Sequence, residues 1–294
     1  MDRHEGLAER FEAERTRLRT IAYQMLGSLS EADDAVQETW LRLSRTDCAA
    51  IGRLDRWLAT VVARVCLDML RARRARREEP AGVRVPDPIV NREDGSNPEC
   101  ELLLADSVGL ALLVVLERLS PAERIAFVLH DVFAIPFDEI AGIVGRSETA
   151  ARQLASRARR RVQGTAVLSD TDLASQRRVV DAFFAAARDG DFSALLTLLD
   201  PDVVVHADFG AISAGVSREI HGVQAVARQA LIFAHQGRSV RPALVNRTAG
   251  VVIMGSEGPF AVMGFTIVHG KIVEIDVLAD AARLSRLDLA TLDT

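Results

Sequence analysis

Residues 119–161 read LSPAERIAFVLHDVFAIPFDEIAGIVGRSETAARQLASRARRR. Ser120-Pro121-Ala122-Glu123 is a capping box with proline at the first helical position, so a helix starts there. Pro136 stops its extension, and Phe137 to Val144 predicts a second helix with Ile140 and Val144 on one stripe. Gly145 suits a left-handed helix stop, and Ser147 is a good N-cap for a third helix. In that helix Ala151, Leu154, Ala158 and Val162 recur at helical spacing and predict the buried side. Glu148, Thr149, Arg152, Gln153, Ser156 and Arg160 point the other way. A short helix, a tight turn and a polar, basic helix make a helix-turn-helix, whose second helix enters the DNA major groove.

The 294 residues are too many for one ordinary core and predict two or three domains. Hydrophobic content of 49% and charged content of 26% describe a soluble globular chain. The longest apolar run, near Leu110 to Leu116, is far short of a membrane span, and no secretory signal is visible. Cys48, Cys66 and Cys100 are scattered without a C-x-x-C pair. A disulfide framework or zinc site is therefore not expected, nor any cofactor, and a reducing cytoplasm fits.

A net charge of −5 looks wrong for a DNA binder until it is divided. Through Gln163 there are 25 arginines against 26 acidic residues, and the remainder holds 11 basic against 15 acidic. Arg71 to Arg77 holds five arginines in seven residues, and Arg157 to Arg161 four in five. Local fields decide phosphate attraction when screening acts over about 8 Å. Either cluster alone is a solvated face; two clusters beside a helix-turn-helix point to DNA.

Before that unit, helical periodicity runs from Gly6 to Arg77, with Phe11, Leu18, Ile21, Ala22 and Met25 on the first buried stripe. Ser30 is the expected cap of a helix that opens on Glu31, Asp33 and Asp34 and buries Val36, Trp40 and Leu43. After a loop from Thr46 to Gly52, a helix from Leu54 to Arg77 carries Trp57, Leu58, Val61, Val65 and Leu70 on its core face. Four prolines (Pro80, Pro86, Pro88 and Pro98) mark a linker before a helix over Leu102 to Leu119. Beyond a boundary at Gly164 to Thr171 the pattern changes. Helices over Leu173–Asp189, Phe192–Leu199 and within His221–Gln236 mix with strands over Val203–His206, Val240–Val245, Gly250–Met254, Phe260–Val268 and Ile272–Leu278. His269-Gly270 is the expected hairpin turn, and the whole is an α+β domain with helices on one face of a curved antiparallel sheet.

Ala32-Asp33-Asp34-Ala35-Val36-Gln37-Glu38-Thr39-Trp40-Leu41-Arg42 resembles the signature helix in domain 2 of extracytoplasmic-function (ECF) sigma factors. Trp57-Leu58 through Ala63-Arg64, with Leu67-Asp68 to Arg74, resembles that domain's promoter-melting segment. Leu119 to Arg124 and the helix-turn-helix resemble domain 4, and the third helix is similar to the subgroup with a fused C-terminal SnoaL-like domain, which has a nuclear transport factor 2-like cone fold. Of the subgroup's motifs, Arg84-Val85-Pro86-Asp87-Pro88 keeps only the Pro-acid-Pro centre of Trp-Leu-Pro-Glu-Pro. Asp208-Phe209-Gly210-Ala211-Ile212 stands for Asp-Gly-Gly-Gly-Lys, and Asp280 to Leu284 for Asn-Pro-Asp-Lys-Leu. The resemblance implies a multidomain fold: two all-α sigma domains, the second a helix-turn-helix, and an α+β cone domain. The expected boundaries are 5–77 for domain 2, 78–101 for the linker, 102–164 for domain 4 and 172–288 for the SnoaL-like domain.

The same resemblance implies the partners: core RNA polymerase, through its β′ clamp helices and β flap, and promoter DNA. Asp33, Asp34, Gln37, Glu38 and Arg42 would dock on the basic clamp helices, where complementary charge speeds encounter. Thr46 to Asp55 and the helix after it would handle the minus-ten element, with Arg64, Arg71, Arg73 and Arg74 as a basic track for the opened strand. Trp57 is assigned to the core rather than to base stacking. Arg152 and Gln153 suit guanine and adenine edges; Thr149 and Ser156 suit a base or phosphate; Arg157 and Arg160 suit phosphates. His206 and Asp208 lie two apart on a strand and would both face the cone interior, either as a polar pair in a vestigial or ligand-sensing cavity or as an acid–base pair. The only tyrosine is Tyr23, so a tyrosine oxyanion donor is absent from the cone. A small-molecule enzyme with a sigma-derived output is the alternative reading, and a plain repressor has no use for the acidic helix. The tail from Asp280 to Leu289 could dock on the sigma domains or cover the sheet.

Overall fold

The computed structural model describes residues 3–46, 51–76, 84–92, 109–163, 172–210, 218–234, 237–256, 258–287 and 289, in two compact units. The stretch 47–50, most of the linker, the start of the helix expected from Leu102, and the 164–171 boundary lie outside the described residues.

In the first unit, α1 (Arg3–Leu26), α2 (Leu29–Ser44) and α3 (Leu54–Arg76) pack on one another. Phe11, Leu18, Ile21, Ala22 and Met25 are buried as expected, against Val36, Leu43, Leu58, Val62 and Val65. Gly27 at φ 66° ends α1 and leaves Ser28 extended, so Ser28 rather than Ser30 caps α2, accepting from the Glu31 amide at 3.5 Å. The tryptophans depart from expectation. Trp57 is half-buried, because it sits about 100° round the helix from Leu58, beyond the edge of the stripe. Trp40, also half-buried, leans on Phe11 with ring centroids 5.0 Å apart.

The chain then gives β1 (Val90–Asn91) and α4 (Leu110–Glu117), followed by the helix-turn-helix of α5 (Pro121–Phe127), α6 (Phe137–Val144) and α7 (Glu148–Gln163). The capping box forms: the Ser120 amide donates to Glu123 at 3.1 Å and Ser120 Oγ accepts from the Glu123 amide at 3.4 Å. A π-helical turn, Val128–Val132, extends α5 before the break at Pro136. Gly145 takes the left-handed stop at φ 68°, and Ser147 Oγ accepts from the Ala150 amide. Ala151, Ala155, Ala158 and Val162 form the buried stripe of α7, with Ala155 in the place expected for Leu154. A methyl there lets α5 and α6 approach closely.

The second unit is built on a seven-stranded sheet in the order β1-β4-β5-β6-β7-β2-β3. Helices α8 (Leu173–Asp189) and α9 (Phe192–Leu198) lead into β2 (Leu199–Asp208), β3 (Arg218–His221) and α10 (Val223–Ala234). The strands β4 (Ser239–Val245), β5 (Thr248–Gly255), β6 (Gly258–Val268) and β7 (Lys271–Leu278) follow, then a short α11 (Ala281–Leu284). The sheet is mixed rather than wholly antiparallel, because β2 runs parallel to β7. No hairpin joins these two strands, so nothing imposes the antiparallel sense. Register shifts in β2, β5–β6 and β6–β7 are bulges of the kind that bend a sheet. Both Asn246-Arg247 and His269-Gly270 have positive φ at each position, as tight hairpin turns require.

Each face of the sheet carries its own core. Val180, Phe183, Leu195 and Val226 from the helices cover Val251, Phe265, Ile267 and Ile275. On the other face Val85, Val90, Leu110, Leu284 and Leu289 cover Val245, Val252, Val262 and Leu278. The tail thus covers the sheet, and residues 84–92 of the expected linker belong to this unit, where their apolar side chains are buried.

Candidate nucleic-acid and protein interfaces

On α2, Asp34, Gln37, Glu38 and Leu41 recur every three or four residues and form one surface stripe. Asp34 and Gln37 are exposed, and Leu41 is an exposed large hydrophobic at 39%. Leu41 was not read as functional from sequence, although its place in the stripe was visible there. An apolar side chain ringed by charge is the usual centre of a protein-binding patch. Asp33 is held by Arg19 through two bonds of 2.6 and 3.1 Å, and Glu38 accepts from Arg42 at 2.9 Å. These bonds orient the rim of the patch.

Of the four arginines expected to track DNA, Arg64, Arg71 and Arg74 are exposed. Arg71 and Arg74 border, with Arg146, a shallow depression that also holds Ser120 and Pro121. Arg73 is a correction. It is 13% exposed, donates to the Leu26 carbonyl at 3.2 Å, pairs with Glu31, and lies 3.6 Å from Glu117. Arg73 continues the inward stripe of Cys66 and Leu70, so its charge is spent inside the unit. Glu117 also pairs at 3.0 Å with Arg124, which is only 2% exposed. This buried ionic group, missed by the sequence reading, ties α3 to α4 and α5. Nearby, Arg56 bonds Glu139 at 3.0 Å and Arg64 donates to the Gly142 carbonyl at 3.3 Å, so α3 also packs on α6. Burial pushes the Cys66 thiol up, beyond any reactive range.

On α7, Thr149, Arg152, Gln153, Arg157 and Arg160 are exposed along one side, and Ser156 is half-buried. Arg152 pairs with Glu148 at 2.5 Å and lies over the Phe137 ring at 5.6 Å, which presets its extended geometry. Arg161 pairs with Glu123 at 2.9 Å and Arg159 with Asp131 at 2.6 Å, so both brace the motif. Burial acts to raise the Glu123 carboxyl, but the Ser120 hydrogen bonds and Arg161 outweigh it and hold the group below its ordinary range.

In the second unit, the expectation that His206 and Asp208 face the interior is overturned. A cavity of about 620 Å³ is lined by Val205, Ala207 and Phe209, which alternate with them. The two polar side chains therefore lie on the other face of β2. His206 stands opposite Asp276 on β7 and Glu219 on β3 in the strand register. Its Nδ1 is 3.0 Å from Asp276 and 2.9 Å from Glu274, and its Nε2 3.3 Å from Glu219. Burial acts to lower its pKa, but the hydrogen bonds to Asp276 and Glu274 prevail and raise it to about 10. The ligand atoms of His206, Glu274 and Asp276 lie within 4.8 Å of one another, close enough to share one cation or one proton.

Asp208 accepts from the Val85 amide at 3.1 Å and from Arg283 at 2.8 Å. Arg283 also donates to Asp87 at 2.6 Å and to the Val85 carbonyl at 2.6 Å. Asn246 fixes the far end of the segment through reciprocal bonds with Ile89 of 3.0 and 2.9 Å. Three stretches distant in sequence thus meet in one clamp on residues 84–92.

A helix-turn-helix with an exposed basic face, following a three-helix domain with an acidic surface stripe, is the architecture of a promoter-reading adaptor. The sigma-70 region 2 family model matches residues 10–76, and the sigma-70 region 4 model residues 109–162. The ECF RNA polymerase sigma factor SigJ of Mycobacterium tuberculosis is 39% identical over 274 residues, 91% of this chain and 86% of its own length. A probable ECF RNA polymerase sigma factor of the same organism, SigI, is 34% identical over 98% of each chain. The crystal structure of Mycobacterium tuberculosis SigJ superposes with a TM-score of 0.77 at 34% identity, covering 96% of this chain and 99% of that one. This chain belongs to the ECF RNA polymerase sigma factors, with a C-terminal α+β domain, the one that the sequence likens to SnoaL-like domains, following the sigma regions. Among the described residues no helix is long and apolar enough to cross a membrane.

Proposed function

We propose that this sigma factor docks on the β′ clamp helices of core RNA polymerase through Asp34, Gln37, Glu38 and Leu41, with Asp33 and Arg42 at the rim. Region 4 engages the β flap and reads the minus-thirty-five element through Arg152 and Gln153, while Thr149, Ser156, Arg157 and Arg160 hold the backbone. Arg64, Arg71 and Arg74 line the path of the opened minus-ten strand. The α2 stripe carries the reading, because its exposed acidic and polar side chains lie within the segment that matches the sigma-70 region 2 family model, residues 10–76.

The minus-ten and minus-thirty-five elements lie about 25 base pairs apart, or roughly 85 Å of duplex. Helices α3, α5 and α6 pack directly on one another, so one such unit cannot span both elements, and Arg64 is engaged with Gly142. The described arrangement is thus the polymerase-free one, and promoter engagement requires α3 to part from α5 and α6. The SnoaL-like domain holds residues 84–92 of the linker, and by fixing that chain it biases the choice between packed and open forms. A regulatory rather than catalytic role for this domain is supported by the position of His206 and Asp208 on the face away from the cavity.

Pull-down of core polymerase tests the docking surface. Asp34→Arg with Glu38→Arg is expected to lose core binding while keeping the fold, since exposed substitutions usually cost under about 0.5 kcal/mol. Undiminished core binding by the double variant would remove the assignment.

A further inference from the structure

The cavity of the SnoaL-like domain has a chemistry that its fold does not dictate. Phe183, Phe184, Phe209, Phe233, Phe260 and Met263 supply most of the aromatic and thioether surface facing its 620 Å³, a volume within the usual range of small-molecule sites. The cavity opens to solvent, so a small molecule can reach it from the surface. Water is a poor occupant of such walls, which offer few hydrogen bonds.

The polar lining is all of one kind. Among the described lining residues, Arg188, Arg218, Arg238 and Gln229 are the polar ones, and there is no carboxylate, imidazole, thiol or phenol. None of the three guanidiniums makes an ion pair within the described residues; Arg238 instead lies over the Phe260 ring at 3.4 Å. This happens in a half of the chain where acidic residues outnumber basic ones, 15 to 11. Three cations lining one apolar chamber, without a carboxylate among the described lining, favour a guest that brings its own negative charge. A guanidinium matches the planar fork of a carboxylate with two parallel hydrogen bonds.

We propose that this cavity is a binding site for an amphiphilic carboxylate, its hydrocarbon body among the phenylalanines and its head on Arg218 and Arg238, with Arg188 beside them.

Calorimetric titration of the full chain, without polymerase, tests this with dodecanoate and 2-naphthoate, each below its aggregation concentration. The controls are 1-dodecanol and dodecyltrimethylammonium. One saturable equivalent of at least one carboxylate is expected, about tenfold or more tighter than the alcohol, with the cation weaker still. Arg218→Ala with Arg238→Ala is expected to bring the carboxylate down to the alcohol's affinity and leave the alcohol unchanged. Ala230→Trp fills the chamber and is expected to abolish both; if that variant misfolds, the paired arginine variant, altered only at two polar lining positions, carries the test alone. No saturable binding of either carboxylate, equal affinity for alcohol or cation, or an unchanged affinity in the arginine variant would overturn the proposal. Because polymerase is not in the assay, such a failure leaves the sigma-factor reading untouched.

Discussion

Arg283→Ala is expected to release residues 84–92 from the sheet while leaving the rest of the second unit folded. The Arg283 guanidinium is 15% exposed and closes on Asp87, Asp208 and the Val85 carbonyl, with both carboxylates 10% exposed or less. Removing it strands two buried negative charges, and breaking a buried pair by deleting one partner costs about 3–5 kcal/mol. The chain can avoid most of that cost by letting residues 84–92 swing into water. Asn246, the two-residue β1 and the burial of Val85, Ile89 and Val90 oppose the release. Taking the lower figure, about 3 kcal/mol, the opening equilibrium rises roughly a hundredfold, since each 1.4 kcal/mol is about tenfold. Native-state hydrogen exchange on the full chain, followed by mass spectrometry, reads this in peptides covering 84–92. Arg283→Lys should fall between wild type and alanine, because it keeps the charge but not the fork. Exchange in 84–92 within about threefold of wild type would refute the clamp. So would an equal rise across β5 and β6, which would mean general loosening instead.

The His206 pKa is raised from 6.5 to about 10, so its proton stabilises the fold fully below about pH 6.5, and that stability is lost as pH rises through 10. Thermal melts between pH 7 and 10.5 should fall more steeply for wild type than for His206→Gln, and parallel slopes would count against the buried imidazolium. Arg73→Ala should cost about 1.5–3 kcal/mol of stability through half-buried Glu31 and buried Glu117, which keeps Arg124; lost DNA affinity with an unchanged melt would return it to the DNA track. Arg152→Ala should weaken specific promoter binding by about 1–3 kcal/mol and relax preference at one base position. Equal loss on every sequence would make it a phosphate contact.

Local rules were legible wherever neighbouring residues alone decide the outcome. The capping box at Ser120, the Gly145 stop, the limits of α6 and the α1 stripe all follow from i to i+4 relations, and the structure reproduces them. Three local readings failed by one or two residues along a helix, the Ser30 cap and the Leu154 and Trp57 core positions, and the other failures depended on partners distant in sequence. Arg73 and Arg74 are adjacent arginines in one basic run, and only the approach of α2 and α4 makes the first a buried ion and leaves the second exposed. His206 and Asp208 were rightly placed on one face of a strand, but alternation cannot tell which face meets a cavity; the apolar Val205, Ala207 and Phe209 set was the better candidate. The docking of 84–92 was hidden because Val85, Ile89 and Val90 are too few, among prolines, to show a period.

Run-off transcription with reconstituted core RNA polymerase tests the central claim most directly. With a template carrying a promoter selected by this chain, the account predicts a discrete transcript when core and the full chain are combined, and none from core alone. Asp34→Arg with Glu38→Arg should remove that transcript. A chain that binds the promoter yet yields no specific transcript with core, or a double variant as active as wild type, would contradict it.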